Sequence, residues 1–348
     1  STNGPVGWIN ADGWIDEDDI CNWVGVKCSA SSGNVDRLVL SSNNLEGPIP
    51  PSIGLLTNLK FLDLSKNDIV GVIPPECNEL IHLVELVLNQ NQLSGHVPTL
   101  YALSHLRCLS LSNNHITGDL SNLLVDLQNN APNITKLSVE KNKLTGRIPT
   151  EIGDLARLKE FHANLNDLSS TIPTEIGRLS ELVAADISQT TISGTIPSEV
   201  GLLTSMENIF MGFSALTGSI PSELFGLTKL KTIVLQETNI DGYIATQIGL
   251  TRNLEVLVLE SNSLSGLIPS EIGLLTKLTT VNLALNKLSG TIPSEFAHLT
   301  NLEEPVVLNS DVIGPVDPIL CSVFDKIEFP CPPPNCDCCR SSKTLQCT

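Results

Sequence analysis

The sequence predicts an α/β solenoid, a right-handed superhelix with one long parallel β-sheet and disulfide-stapled caps. A leucine-containing phrase recurs about every 24 residues along most of the 348-residue chain. Hydrophobic residues make up 41% of the chain and aromatic residues only 4%, which indicates the aliphatic core of a repeat protein. The ten cysteines lie mostly toward the two ends, which suits covalent caps on end repeats.

Residues 1–34 are predicted to form an N-terminal cap. An acidic run from Asn10 to Asp19 partly fits a calcium-binding loop with Gly13 at its sixth position. The first position is then Trp8, which cannot bind a metal ion. We therefore interpret the run as a solvated acidic segment, and no metal site is predicted.

Residues 35–320 are predicted to form the repeats. In each copy an alternating Leu-x-Leu makes a short strand, and successive strands stack in parallel. An asparagine then turns inward, where its amide can bond backbone groups of neighbouring copies. In three consecutive copies Thr190, Ser214 and Thr238 replace it, and a hydroxyl can make only part of those bonds. The twelve copies begin at Val35, Leu59, Leu83, Leu106, Ile134, Leu158, Leu182, Met206, Leu230, Leu254, Leu278 and Leu302.

The second half of each copy returns the chain to the next strand. A Gly-x-Ile-Pro segment is predicted to be extended, because proline fixes its own φ and restricts the residue before it. An Ile-Gly-x-Leu stretch then closes the coil as a brief helical or 3₁₀ turn. Residues 121–133 are an insertion. The last copy has Pro305 and Ser310 in place of the usual Leu and Asn, which indicates a terminal cap.

The phrase Leu-x-x-Leu-x-Leu-x-x-Asn-x-Leu-x-Gly-x-Ile-Pro, complete from Leu254 to Pro269, resembles a known family. It is similar to the plant-type extracellular leucine-rich repeats of receptor ectodomains and polygalacturonase inhibitors. The segment from Cys21 to Cys28 resembles the N-terminal cap of that class. Residues 321–348, predicted to be a Cys-rich C-terminal cap, resemble secreted diatom leucine-rich repeat proteins. The resemblance implies a leucine-rich repeat superhelix.

The cysteines are predicted to form four disulfides and to leave two thiols free. Cys77 replaces the inward Ile of an outer turn, whereas Cys108 occupies an outward strand position. These sites lie on opposite sides of the coil, beyond the ~7 Å that a disulfide allows. Cys108 is expected to alkylate readily in the native protein, and Cys21 to pair with Cys28. Three further bridges of unknown order are predicted among Cys321, Cys331, Cys336, Cys338, Cys339 and Cys347; a zinc site there is disfavoured because no His accompanies them.

The charge excludes some classes of partner. Asp and Glu number 38 against 20 Lys and Arg, a net charge of −18, so the chain repels nucleic acid and anionic membrane surfaces. No apolar run approaches the ~18–20 residues of a membrane span. The polar start at Ser1 leads us to expect a mature, soluble product, and the cysteines indicate an extracellular or cell-surface location.

Catalysis is not predicted, and neither is a cofactor. Of the six His residues only His162 points from the predicted sheet face, with Ser138 and Asp186 one copy away on either side. A row of exposed polar residues produces such a trio by chance and implies no oxyanion hole. Asn133 begins the sequon Asn-Ile-Thr and is the predicted glycosylation site.

The outward strand positions predict a partner-binding surface on the concave face, where repeat solenoids bind ligands. Copies 7–12 combine an apolar run with acidic side chains there, against Lys231 as a base. An apolar centre with an acidic rim fits a partner with a basic rim. The alternative is the ordinary preference of sheets for Val and Phe. The predicted partner-binding residues are Phe210, Phe213, Val234, Val258, Leu165, Asp186, Glu237, Glu260 and Leu285, with the two phenylalanines projecting from one strand as anchors.

A column of mostly Ser and Thr precedes the repeat glycine, from Ser94 to Ser289. Regular hydroxyl ladders occur on ice-binding solenoids, including a plant antifreeze protein with this type of repeat. Asp241, Tyr243 and Leu267 interrupt the pattern. The alternative is that these hydroxyls bond to the backbone of an extended segment.

These observations predict an extracellular, non-enzymatic recognition or adhesion module that binds a protein or polysaccharide on its concave face. One alternative is an inhibitor of a secreted hydrolase. Another is a self-assembling extracellular structural protein, which would form a homo-oligomer. Ice binding is the last alternative.

Overall fold

The computed structural model describes residues 7–14, 19–307, 311–312 and Leu320. The chain forms two compact units, residues 1–169 and 170–348. The acidic residues 15–18 lie outside the described residues, and so do the six tail cysteines. The predicted cap boundaries at residues 34 and 321 stay predictions.

In the first unit, one strand from each copy joins a sheet on one side of the coil. These strands are β1 (Val26–Cys28), β2 (Val35–Val39), β4 (Phe61–Asp63), β6 (Glu85–Val87), β8 (Cys108–Ser110), β10 (Lys136–Ser138) and β12 (Glu160–His162). Neighbours pair in parallel, except that β1 from the predicted cap pairs antiparallel to β2. The central residue of each strand, such as Leu62 or Leu86, is buried, so the flanking residues form the sheet face.

The extended segments after the asparagines form a second parallel sheet in this unit. Its strands are β3 (Glu46–Pro48), β5 (Asp68–Gly71), β7 (Gln92–His96), β9 (His115–Asp119), β11 (Lys143–Gly146) and β13 (Asp167–Leu168). The predicted brief turns are 3₁₀ helices at Pro51–Leu55, Pro75–Glu79 and Thr150–Asp154, with another at Ile20–Asn22. Each coil of the unit therefore has a sheet face, a flank and an outer turn.

The insertion at 121–133 forms an α-helix, α1 (Leu120–Asn130), which the sequence analysis did not predict. The Asp119 carboxylate caps it by accepting a hydrogen bond from the Ser121 N–H at 2.7 Å. The helix buries one leucine face, made of Leu120, Leu123, Leu124 and Leu127. It replaces the 3₁₀ turn of its copy.

The second unit repeats the same plan, and its sheet-face strands also pair in parallel. These strands are β14 (Ala184–Asp186), β16 (Asn208–Phe210), β18 (Thr232–Val234), β20 (Val256–Val258), β22 (Thr280–Asn282) and β24 (Glu304–Val306). The flank strands are β15 (Ser193–Thr195), β17 (Ala215–Ser219), β19 (Asn239–Asp241), β21 (Ser265–Leu267), β23 (Lys287–Gly290) and β25 (Asp311–Val312). The outer turns are 3₁₀ helices at Thr174–Arg178, Ser198–Leu202, Ser222–Gly226, Thr246–Leu250, Ser270–Leu274 and Ser294–His298. The predicted solenoid of stacked coils is confirmed in both units.

The inward asparagines join neighbouring copies as predicted. The Asn67 Nδ2 group donates to the Leu40 carbonyl of the preceding copy at 2.9 Å, and its Oδ1 accepts from the Leu45 N–H at 2.9 Å. Ser214, at the same position in copy 8, donates to the Met211 carbonyl of its own copy at 2.7 Å. A hydroxyl thus makes the local bond, while the longer amide also reaches the neighbouring coil.

Candidate partner-binding site

Three apolar side chains form a continuous row on the sheet face of the second unit. Phe210, Val234 and Val258 occupy the same register position on β16, β18 and β20, and each pairs with the next. Adjacent strands lie ~4.8 Å apart, so the side chains contact one another in sequence. They are half-buried, whereas Ile209 and Ile233 between the rows point into the core with 1% and 0% exposure.

Phe213 lies beside this row but not on the same strand, which corrects the expectation that both phenylalanines project from β16. The strand ends at Phe210, and Phe213 sits in the following turn with a φ of 53°. Its side chain is 38% exposed. This left-handed conformation recurs one residue before the inward Asn or its replacement, because the chain must reverse there. The other predicted site residues with this conformation are Leu165, Glu237 and Leu285.

Two of the predicted rim acids are held by neighbouring side chains. Asp186 accepts hydrogen bonds from the Ser188 N–H at 3.0 Å and from its hydroxyl at 2.7 Å. Glu260 accepts from the Asn282 Nδ2 group of the next copy at 2.7 Å. Glu237 is exposed. The rim is therefore a set of oriented carboxylates with Glu237 at its most accessible position.

The base that was noted on this face, Lys231, forms an ion pair with Glu207 at 2.7 Å. The hydrogen bond from Glu207 raises the pKa of Lys231 and keeps it charged. The pair neutralises itself locally, so the exposed Glu237 and Glu255 set the sign of the field beside the apolar row.

Leu165 and the histidine of the chance trio belong to the first unit. Leu165 is half-buried and occupies the same turn position as Phe213. His162 pairs in register with Ser138, and its Nε2 atom lies 3.8 Å from Glu160. Among the described residues no group of three or more His, Cys, Asp or Glu side chains is arranged to hold a metal ion.

The cysteines divide as the repeat positions predicted. Cys21 and Cys28 form a disulfide, and Cys77 and Cys108 are the free thiols of the described chain. Burial raises the pKa of the Cys77 thiol to about 12. Burial, then Glu85, raise the pKa of Cys108 to about 11. Cys108 is therefore a poor nucleophile at neutral pH, contrary to the expectation of ready alkylation.

The hydroxyl column on the flank is engaged with the backbone. Ser265 donates to the Gly242 carbonyl of the preceding copy at 3.0 Å, and Ser94 donates to the Gly71 carbonyl at 3.3 Å. Equivalent bonds are made by Thr145, Ser169, Ser193 and Ser289. These hydroxyls therefore help to join the copies. The glycosylation candidate Asn133 is exposed in the turn between α1 and β10.

Comparison with known proteins identifies the repeat. The Leucine Rich Repeat family model matches residues 34–56, 58–80, 105–127, 253–275 and 277–299. The chain is a leucine-rich-repeat protein. A receptor-like kinase of Arabidopsis thaliana, FEI 2, is 46% identical to this leucine-rich-repeat protein over 50 residues, which cover 14% of this chain and 8% of that protein. Phytosulfokine receptor 2, also from Arabidopsis thaliana, is 46% identical over 52 residues, covering 14% and 5%.

Solved structures share the fold over most of this leucine-rich-repeat protein. The complex of PEPR1 with AtPEP1 has a TM-score of 0.77 at 30% identity and covers 88% of this chain and 46% of that one. The plant peptide hormone receptor RGFR1 with RGF2 has a TM-score of 0.72 at 30% identity, covering 87% and 59%. A plant ice-binding protein has a TM-score of 0.68 at 28% identity, covering 74% and 83%. The chain thus spans about half of the receptor chains and under a tenth of the curated relatives.

In the described part of this leucine-rich-repeat protein, no helix combines the length and the hydropathy of a membrane span.

Proposed function

We propose that this protein is an extracellular, non-enzymatic recognition module that binds a protein or polysaccharide on the sheet face of its second unit. The observation that carries the proposal is the in-register row of Phe210, Val234 and Val258. Polar or charged side chains would be the inexpensive choice on a solvated strand face, so an apolar row supports burial against a partner.

The side chains around the row favour a protein segment over a polysaccharide. Aromatic residues commonly anchor interfaces, and Phe210 and Phe213 lie close together among few other aromatics. Phe213 also occupies a left-handed turn, a conformation that bulky residues rarely adopt. Exposed Glu237 and Glu255 suit a segment that carries Lys or Arg beside its apolar residues. The similar receptors PEPR1 and RGFR1 were solved with AtPEP1 and RGF2, which supports a peptide-like partner.

Selection from a random displayed-peptide library tests this proposal without a known partner. The full chain is immobilised, and the variant Phe210→Asp is used for counter-selection. We expect enriched peptides with apolar residues between Lys or Arg, which bind the parent chain and not the variant. Peptides that bind both chains equally would contradict the proposal. A glycan array probed in parallel would assign the same face to a polysaccharide if only glycans discriminate between the two chains.

Ice binding is the second candidate, because the fold resembles a plant ice-binding protein over 83% of its length. The flank hydroxyls argue against it, since they donate to backbone carbonyls rather than presenting a free array. An ice-recrystallisation assay tests it, and we expect no inhibition. Loss of polygalacturonase or protease activity on mixing would instead indicate an inhibitor. A rise in scattered light with concentration would indicate self-assembly.

A further inference from the structure

An apolar groove of about 1040 Å³ lies on the flank of the second unit, away from the sheet face. Its prominent side chains are Tyr243 and Leu267, which are 67% and 65% exposed. Pro269 and Pro293 line it further. Equivalent flank positions elsewhere in this unit hold small hydroxyl residues, namely Thr171, Thr195, Ser219 and Thr291. Copies 9 and 10 therefore depart together from a polar pattern, and exposed apolar surface of this kind favours a binding site.

The glycines of the next copies fix the orientation of these two side chains. Gly290 has a φ of 79°, and a Cβ atom built there would lie 2.4 Å from the Leu267 Cδ2 atom. A Cβ atom on Gly266 would lie 3.6 Å from the Tyr243 Cβ atom. Each large side chain thus lies across the bare backbone of the following copy. The groove is a formed surface and not two loosely exposed residues.

The C-terminal end of the chain emerges beside this groove. Strand β25 pairs with β23, so that Val312 lies opposite Gly290 on the same flank. Leu320 is fully buried. Phe329 follows nine residues later, and an extended segment of that length spans about 30 Å. The groove extends over copies 9–11, within roughly 15 Å of β25 at ~4.8 Å per strand.

The residues after Leu320 have the composition that such a groove would hold. The segment from Phe329 to Pro334 reads Phe-Pro-Cys-Pro-Pro-Pro and carries no charge. Proline-rich segments favour the extended polyproline conformation and dock in aromatic-lined grooves with little loss of entropy. A second copy of this chain would bring another net charge of −18 to the surface, and like charges repel.

We propose that residues 329–334 of the chain's own C-terminal segment bind in the groove lined by Tyr243 and Leu267. The segment covers the apolar flank of copies 9–11 and anchors the Cys-rich tail to the repeats. The tail carries three acidic and three basic residues, so its approach to the acidic repeats meets no net repulsion. The binding is independent of the sheet-face site.

The two tyrosines of the chain give a direct test. Tyr101 and Tyr243 have nearly equal exposure in the described residues, 63% and 67%, so equal reaction with N-acetylimidazole is expected if nothing covers the groove. The proposal predicts that Tyr243 in the full chain is acetylated about tenfold more slowly than Tyr101, as for a groove occupied in nine molecules of ten. Mass spectrometry of tryptic peptides measures both rates.

Tail variants assign the occupant. In the combined variant Pro332→Gly, Pro333→Gly, Pro334→Gly, and separately in Phe329→Ser, Tyr243 should react as fast as Tyr101, with an unchanged circular dichroism spectrum. Equal rates in the parent chain would overturn the proposal. Protection that persists in both tail variants, or that disappears on dilution of the parent chain, would also overturn it and would point to a second copy.

Discussion

Asn91 accepts a hydrogen bond from the Ile69 N–H of the preceding copy at 3.0 Å. Its Nδ2 group also donates to the Leu64 carbonyl of that copy at 2.9 Å. Amides of this kind tie each coil to its neighbour, while Ser214 bonds within its own coil. The series is therefore weakened in copies 7–9, which are the copies that carry Phe210 and Phe213.

Exchanging the two side chains should change stability in opposite directions. Asn91→Ser removes the acceptor of the buried Ile69 N–H and should lower the free energy of unfolding by about 1–3 kcal/mol. Ser214→Asn restores an inter-copy amide and should raise it by about 1 kcal/mol. Thermal unfolding followed by circular dichroism measures both changes. Equal midpoints for the two variants would show that these bonds do not govern the joints between copies.

Glu237→Asn should trade binding for stability. Glu237 has a φ of 51°, and Asn tolerates the left-handed region better, so the fold should gain up to about 1 kcal/mol. The lost charge should slow association with a basic peptide and weaken its salt dependence. Gln90→Asn is the matched control, because Gln90 is exposed with a φ of 57° in the first unit. It should gain stability without any change in association rate, and a slower rate in this control would refute the role given to Glu237.

Cys108 should alkylate slowly in the folded protein. Its pKa rises from 9.0 to about 11, so at pH 8 its thiolate fraction is about a hundredfold below that of the unfolded chain. Because the folded state holds this proton more tightly, the associated stability is present below pH 9 and is lost as pH rises toward 11. Iodoacetamide labelling from pH 7 to 10, with and without urea, measures the shift. A native rate equal to the unfolded one would exclude it.

The repeat strands were predictable from the sequence, because a strand that begins at the same point of every phrase needs only local alternation. The helix α1 was missed, although Asp119 followed by Leu120, Leu123, Leu124 and Leu127 carries a capping residue and helical spacing. The constant period of the phrase concealed this signal. A local change of periodicity within an insertion must be read separately from the repeat.

The candidate site was predictable in part. The 24-residue spacing of Phe210, Val234 and Val258 implies their alignment, and the register confirms that alignment. The turn conformation of Phe213 could not be inferred from alternation, since it depends on where the strand ends. The bond between Glu260 and Asn282 depends on side-chain rotamers, which the repeat pattern does not specify. Binding by these residues stays a prediction.

The most direct test of the sheet-face site is calorimetric titration of one library-selected peptide into Phe210→Asp and into the control Val87→Asp. Val87 is half-buried at the equivalent sheet-face position of β6 in the first unit, so the two changes place the same charge in similar surroundings. The account predicts that Phe210→Asp weakens binding at least about a hundredfold, near 3 kcal/mol for a central anchor, while Val87→Asp binds like the parent chain. Parent-like binding by a folded Phe210→Asp would contradict it.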